Sequence, residues 1–583
     1  MAHEPDPKTD QEEWTGNLGR CAGELARLNQ ALDPFGIGAS FARVTQGWLG
    51  QPDDLSAALS RLALGLHNVQ LSVWQSAVGL PPTAPVEAAR DDARFADPAW
   101  SQVPALALLK QYYLAYTRWL EDTLYDSPGV TAKDRRRAAF WARQWLNAIA
   151  PTNYFLTNPA AVRKFWETGG GSLANGIRRW LDDLRVGDVQ MTDRSAFQVG
   201  KNLATTPGAV IYRNELMELI RYRPQTDRVH AMPIVIVPPW INKYYILDLT
   251  ENKSLVRHLV REGFSVFMVS WRNPGADLAG TTFDDYLTRG LNEAIEVARR
   301  SCGAPRVHAV GYCIGGTALA ALMAWLNRRH KDEGDVPVAH WTLLASLVDF
   351  ARPGAIEVFI DEDTIETLEN MMAQQGYLDG REMGRTFRML RSNSLIWHYF
   401  VHGYLYGETP PPFDVLFWNT DVTRMPRAMH SFYLREFYLR NRLVGHDKLT
   451  LADEPIDLAR IRQPLYAVGC EEDHIAPWKA TFKIAGAITA PVRYTLSTSG
   501  HILGIINPPV TPPKRSHWSG AADDGSPEHW HKRQRQRRIE GSWWNDWTTW
   551  LAERCGPKID PPPVATPESP TLADAPGTYV HEA

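Results

Sequence analysis

Cysteine is scarce in this chain of 583 residues: there are five, an odd number, scattered at Cys21, Cys302, Cys313, Cys470 and Cys555. No disulfide framework is expected from that pattern, and with no C-x-x-C pair no zinc site is expected either. Net charge is also small. Lys+Arg 62 against Asp+Glu 66 gives −4, which argues against a globally basic nucleic-acid binder. No uninterrupted apolar run approaches the roughly 18–20 residues that span a bilayer, so no transmembrane segment is expected. The opening MAHEPDPKTDQEEW is polar and acidic, unlike a secretory signal. A soluble cytoplasmic protein is the expectation. A P-loop is missing too: ETGGGSLANG (167–176) is Gly-rich but lacks G-x-x-x-x-G-K-[ST]. No dinucleotide fingerprint follows a first strand. What is abundant is tryptophan, 22 of them, a residue that supplies large amphipathic contact surface.

The chain changes character along its length. Residues 1–200 read as mostly helical. In LSAALSRLALGLHNVQLSVWQSAVGL (55–80), Leu55, Leu59, Leu62, Leu66 and Val69 make an apolar stripe at helical spacing. The segment 81–98 is Pro- and charge-rich and reads as a linker. From 208 onward, short apolar runs alternate with helical stretches: a hairpin at 208–224, then MPIVIVPPW (232–240), FSVFMVSW (264–271), RVHAV (306–310), TLLASLVDF (342–350), QPLYAVG (463–469) and VRYTLST (492–498). Such alternation predicts an α/β fold with a mostly parallel sheet covered on both faces. Residues 201–350 and 448–552 would form its core. The aromatic stretch 351–447 interrupts the alternation and is expected to be a cap over the strand ends, where ligands bind. The Pro- and Ala-rich tail, 553–583, is expected to be mobile.

VHAVGYCIGGTALAAL (307–322) sets Gly311, Cys313 and Gly315 between a buried strand and a helix, the context of a nucleophile elbow with cysteine in place of serine. Glycine neighbours are needed because larger side chains collide across so sharp a turn. The bland alternative is a buried core cysteine in a Gly-rich turn. In this architecture an acid and then a histidine follow the nucleophile. Asp473, just past the strand 463–469, and His501, ending Ser499-Gly500-His501, fill those places. Glu471 and Glu472 compete with Asp473, and His474 with His501. The backbone N–H of Ile314 would give one oxyanion donor, and the loop PPWINKYYILDL (238–249) a second, with Ile241 placed best. A cysteine nucleophile keeps an acyl group activated as a thioester, so the residues favour acyl transfer from a thioester over hydrolysis. A cap that excludes water would favour it further. His529 and His531 lack metal-ligand company and read as a solvated loop. The run HKRQRQRR (531–538) reads as a basic surface insertion, and GSWWNDWTTWL (541–551) as a helix closing the core.

Several longer stretches in order are more specific: APTNYFLTNPAAVRKFWETGG (150–170), PPWINKYYILDL, VSWRNP (269–274), GYCIGGT (311–317), PFDVLFWNTD (412–421), EEDHIAPW (471–478), SGHILGIINPP (499–509) and GSWWNDWTTWL. On these the chain resembles the polyhydroxyalkanoate synthases of class I, within the α/β-hydrolase superfamily. The likeness runs from about residue 100 to 551 with an echo in PGTYV (576–580). The resemblance implies polymerisation of (R)-3-hydroxyacyl-CoA, short-chain and of the 3-hydroxybutyryl type, with release of coenzyme A and a growing polyester held as a thioester. It implies Cys313 as nucleophile, His501 as general base and Asp473 as acid, the last also helping to activate the incoming 3-hydroxyl. No cofactor and no metal are implied, the CoA thioester being a substrate. A homodimer at cytoplasmic polyester granules is implied, with the helical N-terminal region contacting the granule and its associated proteins, and no nucleic-acid partner. Two departures from the family pattern stand out, VTRMP after Asp421 and the basic run 531–538. A thioesterase or depolymerase on the same fold, and a non-catalytic granule-coating protein, are the competing readings.

Overall fold

The computed structural model describes residues 33, 35–80, 86–88, 92–522 and 525–583. Cys21, the fold of residues 1–32 and much of the expected linker 81–98 lie outside them. The described residues fall into two compact units.

The first unit holds the chain to Met191 together with Asp361–Thr367 and Phe387–Pro410. It is helical, and its main helices are Ile37–Leu49, Pro52–Ala77, Pro104–Tyr125, Ala132–Ala148, Pro159–Glu167 and Gly171–Val186. Thr131 caps the fourth by accepting from the Asp134 N–H, satisfying a donor that the first helical turn leaves open. Val44, Trp48, Ala58, Leu124, Ala138, Ala139 and Ala142 pack into one small core. Small side chains on Ala132–Ala148 let the neighbouring helices close on it. The expected stripe holds at Leu55, Leu62, Leu66 and Val69, which are buried or half-buried, but Leu59 is half exposed and Ala58, one residue round the helix face, takes its buried place.

The second unit comprises Thr192–Ile360, Leu368–Thr386 and Pro411–Ala583. Its centre is an 11-stranded sheet. Six strands run parallel, in the order Val492–Ser497, Leu465–Cys470, Val338–Leu344, Val307–Tyr312, Ile234–Val237 and Val266–Trp271. Each is buried almost throughout because helices or loops cover both faces. Antiparallel strands extend both edges, among them the expected hairpin Gly208–Arg213 and Met217–Tyr222. The order of the central strands is that of an α/β-hydrolase fold, with the strand that leads into Cys313 in the middle. Its following helix, Ile314–Arg329, is buried from Ile314 to Leu326.

Three expectations need correction. The tail is not loose: Ala573–Asp574 pairs with Gly208–Arg213 as the outermost strand, and Lys558–Ile559 pairs with Val229–His230. Thr578 and Tyr579 donate from their backbone N–H groups to Glu218, whose carboxylate is fully buried. A proline-rich composition signals no helix or long strand, but it does not forbid docking along an edge. The stretch 351–447 is not one body either, since residues 361–367 and 387–410 belong with the helical unit. The basic run 531–538 is largely exposed, as a surface insertion would be, but the histidine pair is not in a solvated loop. His529 and His531 lie on the helix Pro527–Gln534, whose Trp530 is fully buried and whose His531 ring lies against Trp478 and Trp518.

Candidate active site

The strand Val307–Tyr312 delivers Cys313 to the N-cap of Ile314–Arg329 at φ 53, ψ −124. That conformation is strained for a residue with a Cβ and is held only where the surroundings dictate it. Here they do. A Cβ on Gly311 would lie 2.4 Å from Gly316 Cα, one on Gly316 1.9 Å from Ser346 Oγ, and one on Gly315 2.5 Å from the Val237 carbonyl oxygen. Three glycines thus allow strand, helix and the Val237–Pro238 turn to meet around one side chain. Gly316 completes a set of which the sequence pattern had singled out two. The Cys313 N–H donates to Leu344 O at 2.9 Å, fixing the elbow to the next strand.

Asp473 lies beyond the end of Leu465–Cys470 with its side chain wholly buried. Its Oδ1 accepts from the N–H groups of Ile475 and Ala476 at 2.9 and 2.8 Å. Its Oδ2 accepts from His501 Nδ1 at 2.6 Å. Glu471 and Glu472, the competing carboxylates, point to solvent. With Nδ1 committed to Asp473, the other imidazole nitrogen is left free to serve Cys313, which lies close enough to act on the ring's charge. Burial opposes charge on His501, yet the facing Asp473 and Cys313 outweigh it and hold the imidazole well above its ordinary range. The structure therefore brings Cys313, Asp473 and His501 together.

Several positioning groups were not evident from the sequence. Tyr312 stacks on His501 at 5.6 Å and donates from its hydroxyl to the His501 carbonyl at 3.3 Å. Trp543 and Trp544 donate their indole N–H groups to the carbonyls of Gly504 and Ile505, each at 2.9 Å. The helix Trp543–Ala552 thus braces the loop that carries His501. These tryptophans are buried core residues, so the abundance of tryptophan is partly spent on the interior. Tyr433, buried, and Tyr438, half-buried, come from the interrupting stretch and lie near Cys313. Burial pushes both phenols up, keeping them neutral. Nothing in their aromatic context distinguished them beforehand from core packing.

Ile314 is the first residue of its helix, where N–H groups have no intrahelical acceptor and the dipole favours negative charge. Ile241 follows the Val237–Pro238 turn against which Gly315 packs. Its own carbonyl accepts from Thr423 N at 3.1 Å. Among the described residues, no group of three or more His, Cys, Asp or Glu is gathered for a metal ion, and no helix is long and apolar enough to cross a membrane.

Comparison with known proteins bears on the whole chain. Residues 91–259 match a family described as the N-terminus of poly-beta-hydroxybutyrate polymerase (PhaC), and residues 233–508 match the alpha/beta hydrolase fold. The poly(3-hydroxyalkanoate) polymerase subunit PhaC of Cupriavidus necator is 44% identical over 495 residues, covering 84% of this chain and 83% of its own. The poly(3-hydroxyalkanoate) polymerase of Methylorubrum extorquens is 40% identical over 571 residues, covering 95% and 91%. That of Rhizobium meliloti is 36% identical over 596 residues, covering 99% and 96%.

Proposed function

We propose that this chain, which belongs to the poly(3-hydroxyalkanoate) polymerase family, builds polyester from (R)-3-hydroxyacyl-CoA by covalent catalysis on Cys313. The observation that carries the reading is the strained, glycine-flanked cysteine facing a buried histidine that is itself bonded to a buried carboxylate.

In the first half-reaction His501 takes the thiol proton, and the Cys313 sulfur attacks the thioester carbonyl. The oxyanion is met by the backbone N–H groups of Ile314 and Ile241. Collapse breaks the bond to the CoA sulfur, and His501 returns the proton to that leaving thiolate. The acyl group remains a thioester, now on the enzyme. In the second half-reaction the 3-hydroxyl of an acyl chain attacks that thioester. His501 accepts the hydroxyl proton and gives it to the departing sulfur, leaving an ester bond. Asp473 fits the role of an orienting group better than that of a direct base for the hydroxyl, because both its oxygens are already engaged. The monomer is short, of the 3-hydroxybutyryl type, as the likeness in length and N-terminal region to class I enzymes indicates. No cofactor takes part.

The helical N-terminal region is the part proposed to meet the polyester granule and its associated proteins, in a cytoplasmic homodimer. It is supported by side chains such as Leu156 at 86% and Trp166 at 76% exposure, apolar surface suited to an apolar polymer.

The test is coenzyme A release from 3-hydroxybutyryl-CoA by wild type and Cys313→Ala, with sizing of the product. Thiol release accompanied by high-mass polyester, both lost in Cys313→Ala, is expected. Release with free 3-hydroxybutyrate alone would mean a thioesterase, and no release with any 3-hydroxyacyl-CoA would favour a granule-coating protein.

A further inference from the structure

Residues 575–582 contact the same loop that carries Ile241, and they do so through groups with no other assigned task. Lys243, only 3% exposed, donates from Nζ to the carbonyl oxygen of Glu582 at 2.5 Å. The Glu582 carboxylate accepts from the Asn273 N–H at 2.9 Å and lies 3.7 Å from Arg272. Tyr244 donates from its hydroxyl to Pro576 O at 3.5 Å. Anchorage to buried Glu218 through Thr578 and Tyr579 keeps this segment in register.

The opposite side of the loop is held as firmly. Trp418 Nε1 donates to Lys243 O at 2.7 Å and Tyr245 Oη to Asp421 Oδ2 at 2.8 Å. Thr423 donates its N–H to Ile241 O and its hydroxyl to Trp240 O. Asn273 ties the two sides together, since its Oδ1 accepts from Arg424 N at 2.8 Å while its own N–H serves Glu582. Thr423 and Arg424 belong to the VTRMP segment that departs from the family pattern. A buried ammonium is costly unless paired; burial lowers the Lys243 pKa, and Asp421 and Glu582 work against that.

We propose that Lys243 and Glu582 are positioning residues for acylation: the 575–582 segment clasps the loop so that the Trp240–Ile241 peptide presents its N–H to the oxyanion formed at Cys313. This rests on the reading of the site given above. A shift of about 1 Å in such a donor is enough to cost on the order of 10²-fold in rate.

The test compares two reactions of Cys313: coenzyme A release from 3-hydroxybutyryl-CoA, which passes through an oxyanion, and alkylation by iodoacetamide, which does not. Lys243→Met, Glu582→Ala and a chain shortened after Val580 are expected to lower kcat for release by about 10–100-fold with KM little changed. Alkylation should stay within about twofold of wild type. Glu582→Gln keeps an oxygen for Asn273 and should recover most of the loss, and Leu572→Ser, at an exposed position just before the segment, should behave as wild type. If the shortened chain does not fold, the two point variants decide. Release unchanged in both of them, or alkylation falling in parallel with release, would overturn the clasp. A wild-type enzyme that releases no coenzyme A would instead overturn the reading of the site itself, and the clasp with it.

Discussion

Two buried histidine sites lie at opposite ends of the same strand. Past its end, Cys313 meets His501. At its start, His308 packs against His340 of the next strand, Nδ1 to Nδ1 at 2.5 Å. The second site has one self-consistent proton arrangement. His340 Nε2 must donate to the Arg554 carbonyl at 3.2 Å, so its Nδ1 accepts from His308. His308 Nε2 then accepts from the Thr342 hydroxyl at 2.9 Å, which itself receives the Trp547 indole N–H at 2.9 Å. Every partner is neutral, so burial pushes His308 well down and His340 down to about 4. Burial acts on His501 too, but the facing Asp473 and Cys313 reverse the outcome. Depth alone favours a neutral histidine; a buried carboxylate on Nδ1 favours a charged one.

The sharpest way to break the contrast is to empty the reactive end. Cys313→Ala should lower coenzyme A release by at least about 10⁴-fold with little change in the urea midpoint, because alanine keeps the Cβ and so leaves the strained φ as it is. Next in size, Asp473→Asn should cost about 10²–10⁴-fold in kcat. With the carboxylate gone burial prevails, so His501 should titrate at lower pH than in wild type, read by NMR of the labelled imidazole. If it titrates unchanged, the carboxylate is not what sets it apart from His308.

The other end should respond in stability and not in rate. Folded His340 takes a proton only near pH 4, the unfolded residue near about 6.5. Between those values the unfolded chain binds more protons, so stability falls as pH falls, by up to about 1.4 kcal/mol per unit for one such group. His340→Gln should flatten that slope between pH 7 and 5 in urea unfolding. It should also cost about 1–3 kcal/mol at pH 7 by leaving His308 poorly paired. Coenzyme A release should stay within about twofold. The smallest effect is expected for Trp547→Phe, about 1 kcal/mol for one lost hydrogen bond, with kinetics unaltered.

The placement of the Cys313 end was legible in the sequence because a nucleophile elbow is read from a fixed local pattern: Gly311, Cys313 and Gly315 between an apolar strand and a helix, then Asp473 and His501 each just past a strand. The histidine pair was not, since His308 and His340 read as polar interruptions of two apolar strands and become partners only through strand register. The tail failed for a related reason. Its contact with Glu218 spans 360 residues, and local composition carries no trace of so distant a partner. The stretch 351–447 looked like one insertion because its aromatic, helical character is uniform; its division between two cores is decided by packing.

The central claim is best tested by rapid quenching of the wild-type enzyme with 3-hydroxybutyryl-CoA, followed by digestion and mass analysis of the peptide bearing Cys313. A 3-hydroxybutyryl thioester, or a short ester oligomer, on Cys313 is the predicted result. Turnover with Cys313 unmodified at every quench time, or acylation at another residue, would contradict it.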